Sequence, residues 1–141
     1  MNLKQQLIDE EGEVLHAYQD HLGYWTIGVG ILIDKRKGGG LRKEESDFIL
    51  NNRIRLQTAE VEKALPWVST LDEPRKAVLV GMAFQMGTGG LLGFVNTLLM
   101  VKRRQYKEAG EGMLDSLWAK QTPDRARRMA KQMETGTWQR K

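Results

Sequence analysis

Strand-like alternation is confined to one early stretch of this 141-residue chain, and that confinement limits the folds that the chain can adopt. Residues 14–33 alternate apolar and polar side chains and carry glycines at positions 23, 28 and 30. This pattern is typical of a twisted antiparallel ribbon of two or three short strands. We expect its turn at residues 20–23 and a second, charged loop at residues 34–40. The chain therefore predicts an α+β fold whose strands come early.

Helical periodicity begins before the ribbon and resumes after it. Residues 2–11 predict a short helix with Asn2 as its N-cap, and Gly12 stands just past its end, where helices favour glycine. Residues 43–64 mix apolar and charged side chains at helical spacing, which predicts one long amphipathic helix. This helix would connect the small ribbon lobe to the rest of the chain.

The remaining residues predict a mostly helical lobe. Residues 75–86 and 91–103 are the most apolar segments and should form its buried centre, and residues 105–118 predict a more amphipathic helix. A last helix begins with Thr122 as a cap and Pro123 at the first helical position. Its inward face comprises Ala126, Met129, Ala130 and Met133.

Composition excludes several kinds of site. The chain has no cysteine, which rules out disulfides and thiol catalysis, and its two histidines predict no zinc site. No helix follows the glycines at positions 28 and 30, so they do not predict a nucleotide-binding loop. No stretch has the length and hydropathy of a signal peptide or a membrane-spanning helix. We expect no cofactor and no metal.

Charge is uneven along the chain. Residues 1–101 contain 11 Lys and Arg against 13 Asp and Glu, whereas residues 102–141 contain 11 against 5. The basic end could suit a nucleic acid, an anionic membrane or an acidic wall polymer, or it could be a solvated face. We favour the wall polymer over the membrane, because the apolar stripe of the final helix is narrow and suited to the core.

Two acidic residues near the N-terminus are spaced so that they can act together in catalysis. Glu11 ends the first helix, Asp20 follows eight residues later at the ribbon turn, and Thr26 comes after five more. Carboxyl groups on two separate elements can flank one bond, one of them protonated and the other charged. The spacing indicates hydrolysis of a glycosidic bond.

Longer motifs resemble the phage-type lysozymes, the endolysin family of T-even bacteriophages. They occur in order over nearly the whole chain: Asp9-Glu10-Glu11-Gly12, Tyr18-Gln19-Asp20, Gly23-Tyr24-Trp25-Thr26-Ile27-Gly28-Val29-Gly30, Phe84-Gln85-Met86-Gly87, Gly93-Phe94-Val95-Asn96-Thr97, Trp118-Ala119-Lys120-Gln121-Thr122-Pro123-Asp124-Arg125-Ala126 and Thr135-Gly136-Thr137-Trp138. The resemblance implies a single lysozyme-like domain over residues 1–141. Its ribbon lobe would be residues 12–42, its helical lobe residues 1–11 with 65–141, and its connecting helix residues 43–64.

The resemblance also implies a reaction. The expected enzyme cuts the β-1,4 bond between N-acetylmuramic acid and N-acetylglucosamine in peptidoglycan. Glu11 would be the general acid, Asp20 the general base, and Thr26 would help to hold the attacking water. Inverting enzymes need room for that water, so the two carboxyl groups should lie roughly 6.5–9.5 Å apart.

Four further residues correspond to substrate-binding positions of the family. Gln85 would line the cleft between the lobes, and Arg125 would pair with Glu11 across it. Leu32 and Phe84 are expected to contact the substrate as well. The chain departs from the family at Ile31, where a histidine is common, and in the shorter loop at residues 34–40. The first departure should affect the stability of the small lobe, and the second the neighbouring subsites.

The family setting implies a biological role. We expect a monomer that stays in the cytoplasm of the infected bacterium until a separate holin releases it to the cell wall. Nucleic acid is not an expected partner, and stable insertion into a membrane is not expected either. Two alternatives remain: a wall-binding or virion-associated protein that kept the fold with little catalysis, and a chitinase-like hydrolase.

Overall fold

The structure, a computed structural model, describes residues 2–29, 31–32 and 40–141. Across these residues it has seven α-helices and a single three-stranded antiparallel sheet near the N-terminus. This confirms the predicted α+β, lysozyme-like fold. The chain divides into two compact units, Met1–Asn51 and Asn52–Lys141.

The first unit begins with helix α1, Leu3–Glu11. The Asn2 side chain accepts a hydrogen bond from the backbone N–H of Gln5 at 2.9 Å, as the predicted N-cap requires. At the other end, Gly12 has a φ of 73° and donates its N–H to the carbonyl oxygen of Ile8. A positive φ is strained for residues with a Cβ, so glycine at this position lets the chain leave the helix.

The sheet follows α1 directly. Its strands are β1 (Val14–Gln19), β2 (Trp25–Gly28) and β3 (Ile31–Leu32), paired in the order β1-β2-β3. The β1–β2 turn lies at the predicted residues, with Gly23 at a φ of 85° and its N–H donating to the carbonyl oxygen of Asp20. The glycine supplies the positive φ that this tight turn needs.

Helix α2 covers Lys43–Ala64, which confirms both predicted ends of the long helix. The boundary between the compact units falls inside α2, and α1 belongs to the same unit as the sheet. The sequence assigned residues 1–11 to the helical lobe instead. The single-domain interpretation and its lobe boundaries stay predictions.

The second unit is helical. After a 3₁₀ turn at Pro66–Thr70 it contains α3 (Glu73–Leu92), α4 (Val95–Lys102), α5 (Tyr106–Leu114), α6 (Leu117–Gln121) and α7 (Pro123–Thr135). The prediction of one helix over residues 105–118 is wrong, because helix α5 ends at Leu114 and a separate helix, α6, begins at Leu117. Ser116 starts α6 there by accepting a hydrogen bond from the N–H of Ala119 through its side chain. Helix α3 runs past the expected residue 86 with a kink at Gly87, whose φ is 81°.

The buried core belongs to this second unit. Its fully buried large side chains are Leu79, Met82, Leu91, Met113, Met133, Val61, Val68, Val78 and Val101. Helices α5 and α7 come close at Gly110, where a Cβ would lie 3.0 Å from the carbonyl oxygen of Ala130. Glycine therefore permits the backbone contact that brings the two helices together. The predicted apolar segments, residues 75–86 and 91–103, supply five of these nine side chains, and the other four come from α2, the 3₁₀ turn, α5 and α7.

Helix α7 begins where it was predicted to begin, with Thr122 at the N-cap position and Pro123 as its first residue. The Thr122 side chain, however, binds no backbone N–H of α7, because its hydroxyl donates to the carbonyl oxygen of Trp118 at 3.0 Å. At the C-terminal end, Arg75 donates from Nε to the Met133 carbonyl at 2.7 Å and from Nη2 to the Glu134 carbonyl at 2.8 Å. The inward face of α7 is confirmed: Ala126, Ala130 and Met133 are buried and Met129 is half-buried.

Within the described ranges, no single helix is both long enough and apolar enough to cross a membrane. Helices α3 and α4 meet the length and composition only when taken together, and they are bent by 104° relative to each other.

Candidate active site

One row of side chains crosses the sheet of the first unit. Thr26 in β2 pairs with Tyr18 in β1 on one side and with Leu32 in β3 on the other. Directly opposed residues in an antiparallel sheet point to the same face. Tyr18, Thr26 and Leu32 therefore share one face, and Ile31, which pairs with Ile27, belongs to the opposite face.

Asp20 lies just past the end of β1, in the turn, where backbone groups fix its carboxylate. Its Oδ1 accepts hydrogen bonds from the N–H groups of Leu22 and Tyr24, each at 2.9 Å. Short acidic side chains often bind the backbone two residues ahead in this way. No hydrogen bond among the described residues uses Oδ2, so one oxygen anchors the side chain and the other stays available for chemistry.

The same hydrogen bonds favour the charged form of Asp20. The N–H of Tyr24 makes the largest contribution and lowers the pKa of the Asp20 carboxyl below its ordinary value of 3.8. Burial, the next largest contribution, opposes this shift, and the N–H of Leu22 and the nearby His21 lower the pKa further. Hydrogen bonds donated to a carboxylate stabilise its ionised state. Asp20 is therefore suited to accept a proton and unsuited to supply one at neutral pH.

Thr26 is the buried member of the row, with 5% of its surface exposed. Its hydroxyl donates to the carbonyl oxygen of Tyr24 at 3.3 Å. Because this bond uses the hydroxyl proton, the lone pairs of Oγ1 remain as acceptors. A threonine held in this way can accept a hydrogen bond from a water molecule and so orient it.

Glu11 completes the set. It is the last residue of α1, its side chain is exposed, and it lines a concavity of about 580 Å³ together with Asp20, Thr26 and Leu32. The first unit thus brings together all four of the site residues predicted within it. The pair of carboxyl groups, one of them kept charged by the backbone, is an arrangement that can cleave a glycosidic bond.

Sequence reasoning missed four residues that line this concavity. They are Tyr18, His21, Leu22 and Tyr24. Tyr18 could have been found from the strand period, because it lies two residues before Asp20 and strand residues two apart share a face. His21 and Leu22 carry no such signal, since the conformation of a turn decides where its side chains point.

The other predicted site residues belong to the second unit. The Gln85 side-chain oxygen accepts a hydrogen bond from Trp118 Nε1 at 3.0 Å, and the Arg125 guanidinium donates to the carbonyl oxygen of Gly81 at 3.4 Å. Phe84 is half exposed and lines a groove with α2 residues of the same unit. The pairing of Arg125 with Glu11 and the sugar contacts of Gln85 and Phe84 stay predictions.

Three other sequence interpretations concern the surroundings of the site. The loop at residues 34–40 falls, except for Gly40, outside the described residues. Arg127 in α7 forms an ion pair with Asp124, and the attraction of this helix to wall polymers stays a prediction. Among the residues that the structure describes, no three or more histidine, aspartate or glutamate side chains cluster as a metal site would need.

The fold and the paired carboxyl groups define a class, the glycoside hydrolases of lysozyme type. Comparison with known proteins identifies the family within this class. The family model of the phage lysozymes matches residues 8–134, nearly the whole chain. The probable T4-type lysozyme 1 of Dictyostelium discoideum is 31% identical over an alignment 163 positions long, which covers 96% of this chain and 95% of that protein.

Two phage proteins are similar through part of their own length. The pre-baseplate central spike protein Gp5 of Enterobacteria phage T4 is 28% identical, and the alignment covers 96% of this chain but 28% of the spike protein. The peptidoglycan hydrolase gp36 of Pseudomonas phage phiKMV is also 28% identical, with 94% of this chain and 15% of that protein covered. The chain belongs to the phage lysozyme family, and its enzymatic activity is the hydrolysis of peptidoglycan.

Proposed function

We propose that this lysozyme hydrolyses the β-1,4 bond between N-acetylmuramic acid and N-acetylglucosamine, with Glu11 as general acid and Asp20 as general base. One observation carries the proposal. Glu11, Asp20 and Thr26 line a single concavity, and the hydrogen bonds that anchor the Asp20 carboxylate to other described residues all go to Oδ1. A base needs both a fixed position and an unused oxygen, and Asp20 has both.

The reaction then proceeds in one displacement. The Glu11 carboxyl gives its proton to the glycosidic oxygen as the bond from that oxygen to the anomeric carbon breaks. A water molecule forms the new bond to the anomeric carbon from the opposite face and loses a proton to Asp20 Oδ2. Thr26 Oγ1 accepts the second hydrogen of this water, which directs an oxygen lone pair toward the sugar. The configuration at the anomeric carbon is inverted.

The two carboxyl groups differ in environment, which supports the division of roles. Two backbone N–H groups keep Asp20 ionised, so it can take up a proton but is a poor donor. Among the described residues, no pair of backbone N–H groups binds the Glu11 carboxyl, and Glu11 stands at the end of α1, exposed to the concavity. In such enzymes one carboxyl group acts as the acid and the other as the base because their environments differ.

Substitution of each carboxyl group tests the roles. We expect Glu11→Gln and Asp20→Asn each to slow the release of soluble peptidoglycan fragments about 10²- to 10⁴-fold, the usual contribution of a general acid or base. Asp20→Asn retains an Oδ1 acceptor for the two N–H groups, so the turn should persist and the protein should stay folded. Glu10→Gln changes the neighbouring exposed glutamate, which does not line the concavity, so it is the matched control and should retain full activity.

The products test the bond and the stereochemistry. Mass spectrometry of the digested muropeptides should find N-acetylmuramic acid at the new reducing ends, and proton NMR during digestion should detect the α-anomer first. N-acetylglucosamine ends would refute the proposed bond. Initial formation of the β-anomer would show retention of configuration and would refute the role of Asp20 as general base.

We further propose that the enzyme acts as a monomer at the end of a phage infection. It would remain in the host cytoplasm until a holin permeabilises the inner membrane. Expression in bacteria should leave the culture intact until a holin is co-expressed or the membrane is opened with chloroform, and lysis should then be rapid. Lysis without either treatment would contradict the dependence on a holin.

A virion-associated role is the alternative that a specific observation favours, because the phage T4 spike protein aligns with almost all of this chain. In that case the protein would act during entry, or bind the wall with little catalysis. Cosedimentation with peptidoglycan without release of reducing ends would support the binding role. A chitinase-like activity, the other alternative, would appear as cleavage of soluble chitin oligomers in preference to peptidoglycan.

A further inference from the structure

The second unit has an apolar groove that the reaction does not use. Its volume is about 290 Å³, and its lining comprises Leu65, Trp67, Leu92, Val95, Leu98, Leu99 and Lys102. None of these residues belongs to the candidate active site. Apart from the Lys102 side chain and the indole nitrogen of Trp67, the lining side chains are hydrocarbon.

Helix α4 supplies most of this surface. Val95, Leu98, Leu99 and Lys102 recur at positions i, i+3, i+4 and i+7, so they form one face of the helix. Leu98 is buried, whereas Val95 is 68% exposed and Leu99 42% exposed. Leu92, at the end of α3, adds a third apolar side chain that is 38% exposed. Contiguous exposed apolar surface of this kind marks an interaction site more often than a random surface does.

Positive charge adjoins the groove. Lys102 lines it, and Arg103 and Arg104 follow directly at the end of α4, all three of them exposed. None of the three forms an ion pair with another described residue. An apolar groove with one cation in its lining and two more in the next two residues of the chain is complementary to a molecule that joins a hydrocarbon chain to an anionic group.

We propose that this groove docks the enzyme on an anionic lipid membrane, with lipid chains against Leu92, Val95 and Leu99 and lipid phosphates on Lys102, Arg103 and Arg104. Trp67 suits the position, because tryptophan favours the boundary between lipid chains and headgroups. The contact is peripheral, and no helix crosses the bilayer. The inference is independent of the proposed roles of Glu11 and Asp20.

A second copy of the chain fits the groove less well. Identical surfaces meet each other in a two-fold symmetric dimer, so the basic run of one copy would face that of the other. Like charges brought together across an interface oppose association. A surface of anionic lipids instead gives each cation an opposite charge.

Binding to vesicles tests the proposal. The full chain should cosediment with vesicles of phosphatidylcholine and phosphatidylglycerol, but not with phosphatidylcholine alone, and binding should weaken with salt. Each basic residue near an anionic surface strengthens partitioning about fivefold, so the triple variant Lys102→Gln, Arg103→Gln, Arg104→Gln should bind about a hundredfold more weakly. The control variant Lys107→Gln, Lys120→Gln, Arg140→Gln removes the same charge elsewhere and should bind nearly as well as the unchanged protein.

Tryptophan fluorescence tests whether the groove itself contacts the lipid. Lipids brominated on their chains should quench tryptophan emission, and Trp67→Phe should remove most of that quenching. Trp138→Phe, which alters a tryptophan that is 58% exposed and outside the groove, should leave it in place. Val95→Ser should weaken binding while the thermal unfolding temperature stays nearly unchanged, because this side chain is 68% exposed.

Three results would overturn the proposal. The first is failure of the unchanged protein to bind anionic vesicles. The second is equal loss of binding in the two triple variants, which would mean that net charge alone is responsible. The third is a concentration-dependent dimer, seen by sedimentation and abolished by Leu99→Ser, without vesicle binding. None of these experiments uses peptidoglycan, so failure here is distinct from failure of the proposed reaction.

Discussion

The two compact units hold their structures by different means. Among the described residues of the first unit, Thr26 alone is buried, whereas every buried hydrophobic side chain that the structure describes belongs to the second unit. The first unit instead relies on local hydrogen bonds, such as those that Asn2 and Asp20 make with nearby backbone N–H groups. The candidate catalytic groups therefore depend on turns and helix ends, and the core of the protein lies elsewhere.

The contrast between the two units predicts which substitutions should disturb the candidate site and which should lower the stability of the protein. Local hydrogen bonds position a group within a few residues of its partner, so their loss should disturb a site without unfolding the protein. Buried side chains in α3, α5 and α7 join segments far apart in the chain, so their loss should lower the stability of the whole second unit.

Truncation of a core leucine should give the largest effect. Leu79 in α3 is fully buried, and Leu79→Ala should reduce the free energy of unfolding by about 2–5 kcal/mol through lost burial and a residual cavity. Leu15→Ala is the matched change in the first unit. Leu15 is 84% exposed, and its truncation should cost less than about 0.5 kcal/mol. Denaturant unfolding measures both, and similar losses would mean that the two units do not differ as described.

A glycine at the end of α7 should give an intermediate effect. Gly136 has a φ of 68°, and a Cβ there would lie 2.9 Å from Arg75 Nη1. Gly136→Ala should therefore destabilise the protein by about 1–2 kcal/mol, the cost of a left-handed conformation for a residue with a Cβ.

Gly89 provides the control for this change. It lies within α3, and a Cβ there would meet no atom within 4 Å. Gly89→Ala should leave stability unchanged or raise it by about 0.5–1 kcal/mol, because alanine favours the helix. Thermal unfolding distinguishes the two variants, and equal shifts would show that Arg75 does not restrict the end of α7.

Acidification should give the smallest effect, and it concerns the first unit. The backbone N–H of Tyr24 holds the pKa of the Asp20 carboxyl below 3.8 in the folded protein. The carboxylate therefore contributes stability above the ordinary pKa, and this contribution disappears as the pH falls through the lowered pKa. Unfolding curves of the unchanged protein and Asp20→Asn should converge once the pH has fallen below this lowered pKa, because both side chains are then uncharged in the folded state. A difference that grows with acidity would contradict the role of the turn.

Local patterns explain how much of the fold could be predicted. The ends of α2, the Asn2 cap and the turn at Asp20 follow from residues close together in the chain, and all three are confirmed. The break between α5 and α6 was missed, because Ser116 can lie within a helix or begin one and packing decides between the two. Thr122 stands at the predicted N-cap position of α7, but the partner of its hydroxyl could not be predicted, since the hydroxyl donates to the Trp118 carbonyl oxygen and not to the helix.

The candidate site likewise has a part that local sequence could predict and a part that it could not. Glu11, Asp20, Thr26 and Leu32 lie within one short stretch, so the hairpin brings them to one concavity once its register is set. The environments of Gln85 and Arg125 depend on how the helices of the second unit pack. No spacing rule could reveal that Gln85 meets Trp118, 33 residues further along the chain.

The hydrogen bond between Gln85 and Trp118 fixes the orientation of the glutamine side-chain amide. The indole nitrogen of tryptophan can only donate, so Gln85 must turn its oxygen toward Trp118 and present its amide NH₂ group on the other side. A ligand at Gln85, a contact that stays a prediction, would meet a hydrogen-bond donor there, and this donor suits the carbonyl of an N-acetyl group better than a sugar hydroxyl that needs an acceptor. Gln85→Glu would keep the oxygen for Trp118 and reverse that preference, which the KM for acetylated and de-acetylated peptidoglycan would measure.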